Sequence, residues 1–343
     1  MPLCCTDCFH DKEIAIFIGN SIQTGRCGYC KKNNAFVIEP VNLSQFFEPF
    51  IGLVKEDEDG LELSEILDNL FFIFNESIRN KGVLLCEILG QAITSKKYNL
   101  TIEFNSHIDA WEKFKEELKY ENRFFPKNSI YSSLFDIREN HVDGDLFQII
   151  EQLKVEYDTS DVFYRARLSD AELKKDKMGM PPKGYASAGR ANPVGISYLY
   201  LAENEETCVA EVRPNSTSSI NISSFTPKDK LSIVDLTEPR KRLSSCSFEE
   251  SRLKTVIDII SLLETLSSEL SKPVRPESSS IDYIPTQFLC EFIKSFSKCD
   301  GIAFESSFRK GKNFVFFNQE YFEIEDPVIH RILSIEHNYE RKA

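Results

Sequence analysis

Two Cys-x-x-C pairs, Cys5/Cys8 and Cys27/Cys30, stand within the first thirty residues with eighteen residues between them. That spacing lets two tight knuckles meet at one tetrahedral ion, so the amino-terminal forty residues are expected to fold as a small zinc-binding ribbon. Four thiolates leave no open coordination position, so the zinc is expected to be structural. A redox dithiol and unliganded core cysteines are the alternatives, and the doubled motif favours the metal. Gly28 is expected to supply a positive φ in the second knuckle. Cys4 could stand in for Cys5 only with a different knuckle spacing. The run Ile14 to Ile18 between the pairs reads as strand-like and Gly19-Asn20 as a turn. Half of the ten cysteines lie in this segment, and the opening MPLCCTDCFHDKE lacks a basic region followed by an apolar stretch. Metal ligation therefore fits better than secreted disulfides, and the cytoplasm is the expected location.

At 343 residues the chain is long enough for two or three domains. Its 54 acidic against 41 basic residues give a net charge of −13, which opposes non-specific nucleic-acid binding. No apolar run approaches the roughly 18 residues that a spanning helix needs, so no membrane partner is expected. Residues 41–155 read as a helical domain, with LSEILDNLFFIFN and HIDAWEKFKEELKY repeating apolar residues every three or four positions. Ser106 is placed to cap the second of these, with Trp111, Phe114 and Leu118 on one face. The acidic stretch Lys55 to Gly60 reads as a solvated connection.

From residue 156 to 335 the pattern changes to short apolar strands: DVFYRAR, GISYLYLA, TCVAEVRP, LSIVDL, GIAFESS and NFVFF. Helices are expected over SRLKTVIDIISLLETLSSEL and over Thr286 to Phe296, and Pro273 to Ser280 reads as a surface loop. The fold class is therefore α+β. Cys86, Cys208, Cys246, Cys290 and Cys299 sit in apolar contexts and read as core residues.

Three segments of this last domain carry polar residues where a buried strand would not want them. Arg165 and Arg167 in FYRAR share one face of a strand. In SAGRANPVGISYLYLAENEETCVAEVRP, a Gly-Arg turn at Arg190 precedes a strand bearing Tyr200, and a short acidic helix leads to Glu211. A carboxylate between Ala210 and Val212 needs a partner if buried. GIAFESS ends in Ser306 and Ser307. Taken singly, each has a plain structural reading: a packed aromatic, a turn residue, an ion pair of Glu211 with Arg213, a hydroxyl cap.

In this order the segments resemble the RES domain, a family named for an Arg, a Glu and a Ser, whose fold is similar to that of ADP-ribosyltransferases. The resemblance covers about Tyr157 to Asp326. It implies Arg165 and Arg190 as the two arginines, Tyr200 as the strand tyrosine, Glu211 as the glutamate and Ser306 as the serine. Ala191 stands where the family has an aromatic. Phe304 and Glu305 replace Tyr and Pro, which leaves Ser306 and Ser307 both open as the serine.

The resemblance further implies an NAD-consuming, toxin-like enzyme cleaving the nicotinamide–ribose bond. Its catalytic set would be Glu211, Tyr200, Arg165 and Ser306, and its binding set Arg165, Arg190, Tyr200 and Ser306. Arginines suit the pyrophosphate, and a carboxylate suits an oxocarbenium-like cation. Water, inorganic phosphate and a protein side chain (ADP-ribosylation) all remain open as acceptors. A zinc-containing NAD-binding or interaction module without catalysis is the alternative of another class. A helix-turn-helix antitoxin or other protein regulator and a homo-oligomer are the expected partners. The helical segment resembles the HEPN-like extension found before some RES domains. Arg138 and His141 are too closely spaced for a HEPN ribonuclease motif, and no role falls to His107, His330 or His337.

Overall fold

The computed structural model describes residues 2–101, 106–135, 144–272 and 279–334, with the backbone alone at 106–108 and 279–280. Its architecture is α+β. The cysteine-rich start forms three short antiparallel strands in the order β1-β3-β2: β1 Cys4–Cys5, β2 Thr24–Gly25 and β3 Ala35–Ile38. Between β1 and β2 lies helix α1, Lys12–Gly19. The strand-like reading of Ile14 to Ile18 is thereby corrected. A strand would put Ile14, Ile16 and Ile18 on one face. Instead Ile14 and Ile18, four apart, are fully buried, while Ile16 is 58% exposed. Asp11 starts the helix by accepting the backbone N–H groups of Glu13 and Ile14.

The next segment carries α2 Ser44–Ile51, β4 Val54–Glu62, α3 Leu63–Phe71, α4 Lys81–Leu89, α5 Gln91–Thr94, β5 Lys97–Leu100, α6 Ser106–Tyr120 and α7 Asp145–Gln152. Trp111, Phe114 and Leu118 are buried as their spacing predicts. The capping role expected of Ser106 lies outside the described side chains. The expected acidic connection is instead part of β4, paired antiparallel with β5 and bulged between Glu56 and Leu61. Gly60 permits this because a Cβ there would sit 2.3 Å from the Tyr98 carbonyl oxygen. Arg138 and His141 lie outside the described residues.

The second half supplies β6 Lys154–Tyr157, β7 Phe163–Leu168, β8 Leu199–Ala202, α8 Glu205–Glu211, β9 Ser219–Pro227, β10 Leu231–Asp235, α9 Pro239–Arg242, α10 Glu250–Ser271, α11 Ser279–Asp282, α12 Ile284–Phe296, β11 Gly301–Glu305, β12 Lys312–Phe316, β13 Phe322–Ile324 and β14 Val328–Arg331. The nine strands form one sheet in the order β13-β9-β7-β8-β12-β11-β10-β6, with β14 also on β9. Its recorded pairings are antiparallel except β10 with β11. TCVAEVRP, read both as a strand and as the end of a short acidic helix leading to Glu211, is helical: it forms α8 and the turn after it. Asn204 caps the helix by accepting the Thr207 N–H at 2.8 Å, and Thr207 and Cys208 pack inward. Of the expected loop from Pro273 to Ser280, residues 273–278 lie outside the described residues, and α11 begins at Ser279.

Both faces of the sheet are buried. Phe163, Leu199, Leu201, Phe225, Phe314 and Phe316 pack on one face. Ala166, Ala202, Cys208, Ile220 and Ile222 pack on the other. The alternation of β12, with Phe314 and Phe316 toward one core, sends Asn313 to the opposite side.

The chain divides into two compact units. One holds the described residues up to Lys113 together with Asn128–Leu153 and Glu238–Glu264. The other holds Phe114–Lys127, Lys154–Thr237 and the described residues from Thr265 onward. Ion pairs explain the interleaving. Within the first unit Arg240 grips Glu264 and the Leu70 carbonyl, and Arg252 grips Asp145. Within the second, Lys115 meets Glu269 and Lys119 meets Asp282. Among the described residues no helix is long and apolar enough to cross a membrane.

Asp11 fastens the first unit across more than 230 positions of sequence, since it also accepts Ser244 Oγ at 2.5 Å and the Cys246 N–H at 3.0 Å. Its side chain is 2% exposed. Asp11→Ala therefore removes the acceptor of four hydrogen bonds, two of them buried, and a loss of about 2–4 kcal/mol is expected. Thermal unfolding followed by circular dichroism checks this. A fall in Tm of about 5–10 °C is expected, with Asp11→Asn recovering part of it.

Candidate functional site

Strands β7 and β8 share one register pair, Tyr164 with Ala202. Beyond it the sheet opens, and a cavity of about 350 Å³ occupies the split, with Arg165 and Ala166 on one side and Tyr200 and Leu201 on the other. Arg190, Glu211 and Asn313 also line it. Unpaired strand edges and a volume within the usual range for small-molecule pockets suit it to a polar ligand.

On the β7 side, Arg165 Nη1 and Arg167 Nη2 both donate to the Gly179 carbonyl oxygen, at 3.1 and 2.9 Å. Among the described residues no carboxylate pairs with either. Burial, and then the neighbouring Arg167, push the Arg165 guanidinium down to about 9. Burial lowers that of Arg167 as well. Two desolvated cations sharing one neutral acceptor form a strong anion-attracting wall.

On the β8 side, Tyr200 is fixed by its hydroxyl, which donates to Asn192 Oδ1 at 2.7 Å and accepts the Ala191 N–H at 3.2 Å. Burial raises its phenol well above the usual range, so it stays neutral. Asn192 is itself buried, and its Nδ2 donates to the carbonyls of Ser187, Pro193 and Ile196. The start of α12 holds the same loop: Thr286 Oγ1 donates to the Arg190 carbonyl and Gln287 Nε2 to those of Gly189 and Asn192. Gly189 is required by close approach, since a Cβ there would lie 2.4 Å from Asn192 Oδ1 and 2.5 Å from the Tyr200 hydroxyl.

Arg190 is partly committed elsewhere. Its Nη1 donates to the carbonyls of Leu270 and Ser271, at 2.8 and 2.9 Å, and so caps the C-terminus of α10. The residue also lines the cavity.

Glu211 closes α8 at the cavity wall. Its Oε1 accepts both Ser306 Oγ, at 2.8 Å, and Asn313 Nδ2, at 2.6 Å. Among the described residues Oε2 has no recorded partner. Arg213 does not pair with Glu211; it adopts a positive φ of 47° and lies over the Phe308 ring at 4.6 Å. Ser307 turns away, donating to the Ser271 carbonyl, so Ser306 is the serine that meets the glutamate. Arg165, Arg190, Tyr200 and Glu211 thus converge on one cavity, with Ser306 one hydrogen bond behind. Asn313 and Asn192 escaped the sequence reading. An isolated Asn in NFVFF carries no chemical signature, although its place opposite the Phe positions of that strand marked it as facing the other way.

In the other unit the thiols of Cys5, Cys8, Cys27 and Cys30 all lie within 4.8 Å of one another. Sulfur separations of 3.3, 3.4 and 3.9 Å compare with roughly 3.8 Å for thiolates around tetrahedral zinc. The cluster could hold one metal ion. Cys4 is excluded because its Sγ points to the Ile38 carbonyl. The positive φ expected at Gly28 falls instead on Lys31, at 67°. Gly28 is needed for room: a Cβ would meet that of Pro2 at 2.4 Å.

No curated protein matches the chain. Among solved structures, a chain in the crystal structure of the M. tuberculosis MbcT-MbcA toxin-antitoxin complex is similar at 16% identity and a TM-score of 0.32. That similarity covers 55% of this chain and 94% of that one. The family model described as RES domain matches residues 162–336 of the 343, just over half of the sequence. It takes in every residue that converges on the cavity. This chain belongs to the RES domain family.

Proposed function

We propose that this chain consumes NAD, cleaving the nicotinamide–ribose bond with water or inorganic phosphate as acceptor. Toxins of the RES family are NAD-using enzymes. The observation that carries the reading is the opposition, across one cavity, of a desolvated guanidinium and a carboxylate which, among the described residues, have respectively no counter-ion and one oxygen unengaged.

In this reading Arg165 holds the pyrophosphate, and the remaining donors of Arg190 assist. The Tyr200 ring, locked by Asn192 and Ala191, gives the nicotinamide riboside a rigid wall. Glu211 Oε2 accepts a ribose hydroxyl. As the glycosidic bond breaks, the electron pair leaves with nicotinamide and positive charge grows on the ribose, where the carboxylate stabilises it. Ser306 and Asn313 act through Glu211: both donate to Oε1, which fixes the rotation of the carboxylate and directs Oε2 at the substrate. Such preorganisation avoids reorientation during the reaction.

The cysteine cluster is read as a structural zinc site, held by Cys5, Cys8, Cys27 and Cys30. The ion would supply folding stability and no catalysis, because four thiolates leave no open position. The helical segment is read as a HEPN-like, non-catalytic module.

Mass spectrometry of NAD incubated with purified protein, with and without phosphate, tests the enzymatic reading. Nicotinamide release accompanied by ADP-ribose or its phosphate ester is expected. Glu211→Gln should lower the rate at least about 100-fold with Tm unchanged. Intact NAD after prolonged incubation with folded wild-type protein would leave a binding module and end the catalytic reading. ADP-ribose found attached to protein would name a transferase instead.

For the metal, elemental analysis of the purified chain should give one zinc per molecule. Cys27→Ser should lose it, and a strong chelator should lower the unfolding temperature. A metal-free wild-type protein of equal stability would refute the zinc assignment.

A further inference from the structure

A second cavity, of about 680 Å³, adjoins the first and shares Arg165, Ala166 and Val212 with it. The proposed chemistry does not use it. Arg167 and Lys177 reach this cavity and not the first, and no Asp or Glu lines it. Arg167 stands two residues beyond Arg165, roughly 7 Å along the strand. Its Nη2 meets the Gly179 carbonyl, and its buried Nε has no hydrogen-bond partner. An orphaned, desolvated guanidinium nitrogen costs free energy unless an anion completes it. Lys177 stands at the rim, 3.5 Å from Asp176 in solvent. The wall is firmly built. Buried Asn221 accepts the Leu173 N–H at 2.9 Å and donates to the carbonyls of Ser169 and Ala171, fixing the turn between strand and rim.

We infer that this second cavity is an anion subsite for a phosphomonoester on the adenosine side of the substrate, which makes a 2′-phosphorylated dinucleotide, NADP, a better substrate than NAD. The inference rests on reading the first cavity as the nicotinamide–ribose site. With that end beside Tyr200 and Glu211 and the pyrophosphate at Arg165, the adenosine ribose enters the second cavity. In Rossmann-type folds the free 2′-hydroxyl of NAD is met by a carboxylate and the 2′-phosphate by an arginine, and the same charge logic applies to any pocket for that group. This cavity offers Arg167 with Lys177 and no carboxylate. A phosphate between them would complete Arg167 Nε by a charge-assisted hydrogen bond.

Calorimetric binding of adenosine 2′,5′-bisphosphate and of AMP to the full chain at low salt separates this inference from catalysis. Wild-type protein is expected to bind the bisphosphate at least about 10-fold tighter than AMP. Arg167→Gln should erase that preference. Lys177→Ala, on the exposed rim, should reduce it several-fold and decides the matter if Arg167→Gln does not fold. Where turnover is measurable, kcat/KM should favour NADP over NAD, and Lys177→Ala, at a residue outside the first cavity, should lower the NADP value several-fold while leaving the NAD value within about 3-fold. A preference in binding without turnover upholds the subsite while overturning the proposed reaction. Equal wild-type affinity for bisphosphate and AMP overturns the subsite, whatever the turnover.

Discussion

Two guanidinium groups sharing one carbonyl oxygen set the terms for the rest of the site. Placing Arg165 and Arg167 side by side on a strand in a folded interior is unfavourable by desolvation and by mutual repulsion, and the Gly179 carbonyl offsets a small part of that. The surrounding fold must therefore hold the pair by force of packing. It does so with Phe163, two residues before Arg165 on the same face and set in the main aromatic cluster, and with Ala166, between the arginines and set in the cluster on the other face. Stability is spent there to keep a positive wall facing an opening in the sheet. Functional sites commonly concentrate such locally unfavourable arrangements.

The opposite wall is built on the reverse principle. The Tyr200 hydroxyl and both ends of the Asn192 amide are engaged, and two helices contribute to the fastening: α12 through Thr286 and Gln287, and α10 through the carbonyls that Arg190 caps. One side of the cavity is underpaired and rigidly packed, while on the other the Tyr200 hydroxyl and the Asn192 amide are held by hydrogen bonds. A ligand entering between them gains most from charge on the first side and from shape on the second.

The strands of the second half were legible because alternation and β-branched or aromatic residues dictate them, as in NFVFF and LSIVDL. The misreadings share a cause. At Ile14 to Ile18 the residue types favoured a strand, while a capping aspartate and burial four residues apart decided for a helix. At TCVAEVRP an apolar stretch concealed a helix begun by Asn204. At Lys55 to Gly60 the charges suggested solvent, yet pairing with β5 costs charged side chains nothing at an exposed edge. Within the site, the ionisable residues could be found from sequence because each is out of place in apolar text. The neutral amides Asn192 and Asn313 could not, since their roles arise only from neighbours about ten and one hundred residues away in sequence.

That sequence separation bears on how the protein comes into being. Glu211 meets Ser306 and Asn313 across 95 and 102 positions, and the parallel pairing of β10 with β11 joins segments on either side of a long helical crossover. Contacts of this kind form late, because the intervening chain must be ordered before they are rewarded. During translation the arginine-bearing strand emerges well before the carboxylate acquires its two donors. A nascent chain still lacking β12 has no Asn313 to fix Glu211, and this wall of the cavity is completed only as synthesis nears the end of the sheet. The order of the strands thus fixes when the cavity wall can be complete, which is not before β12 has joined the sheet.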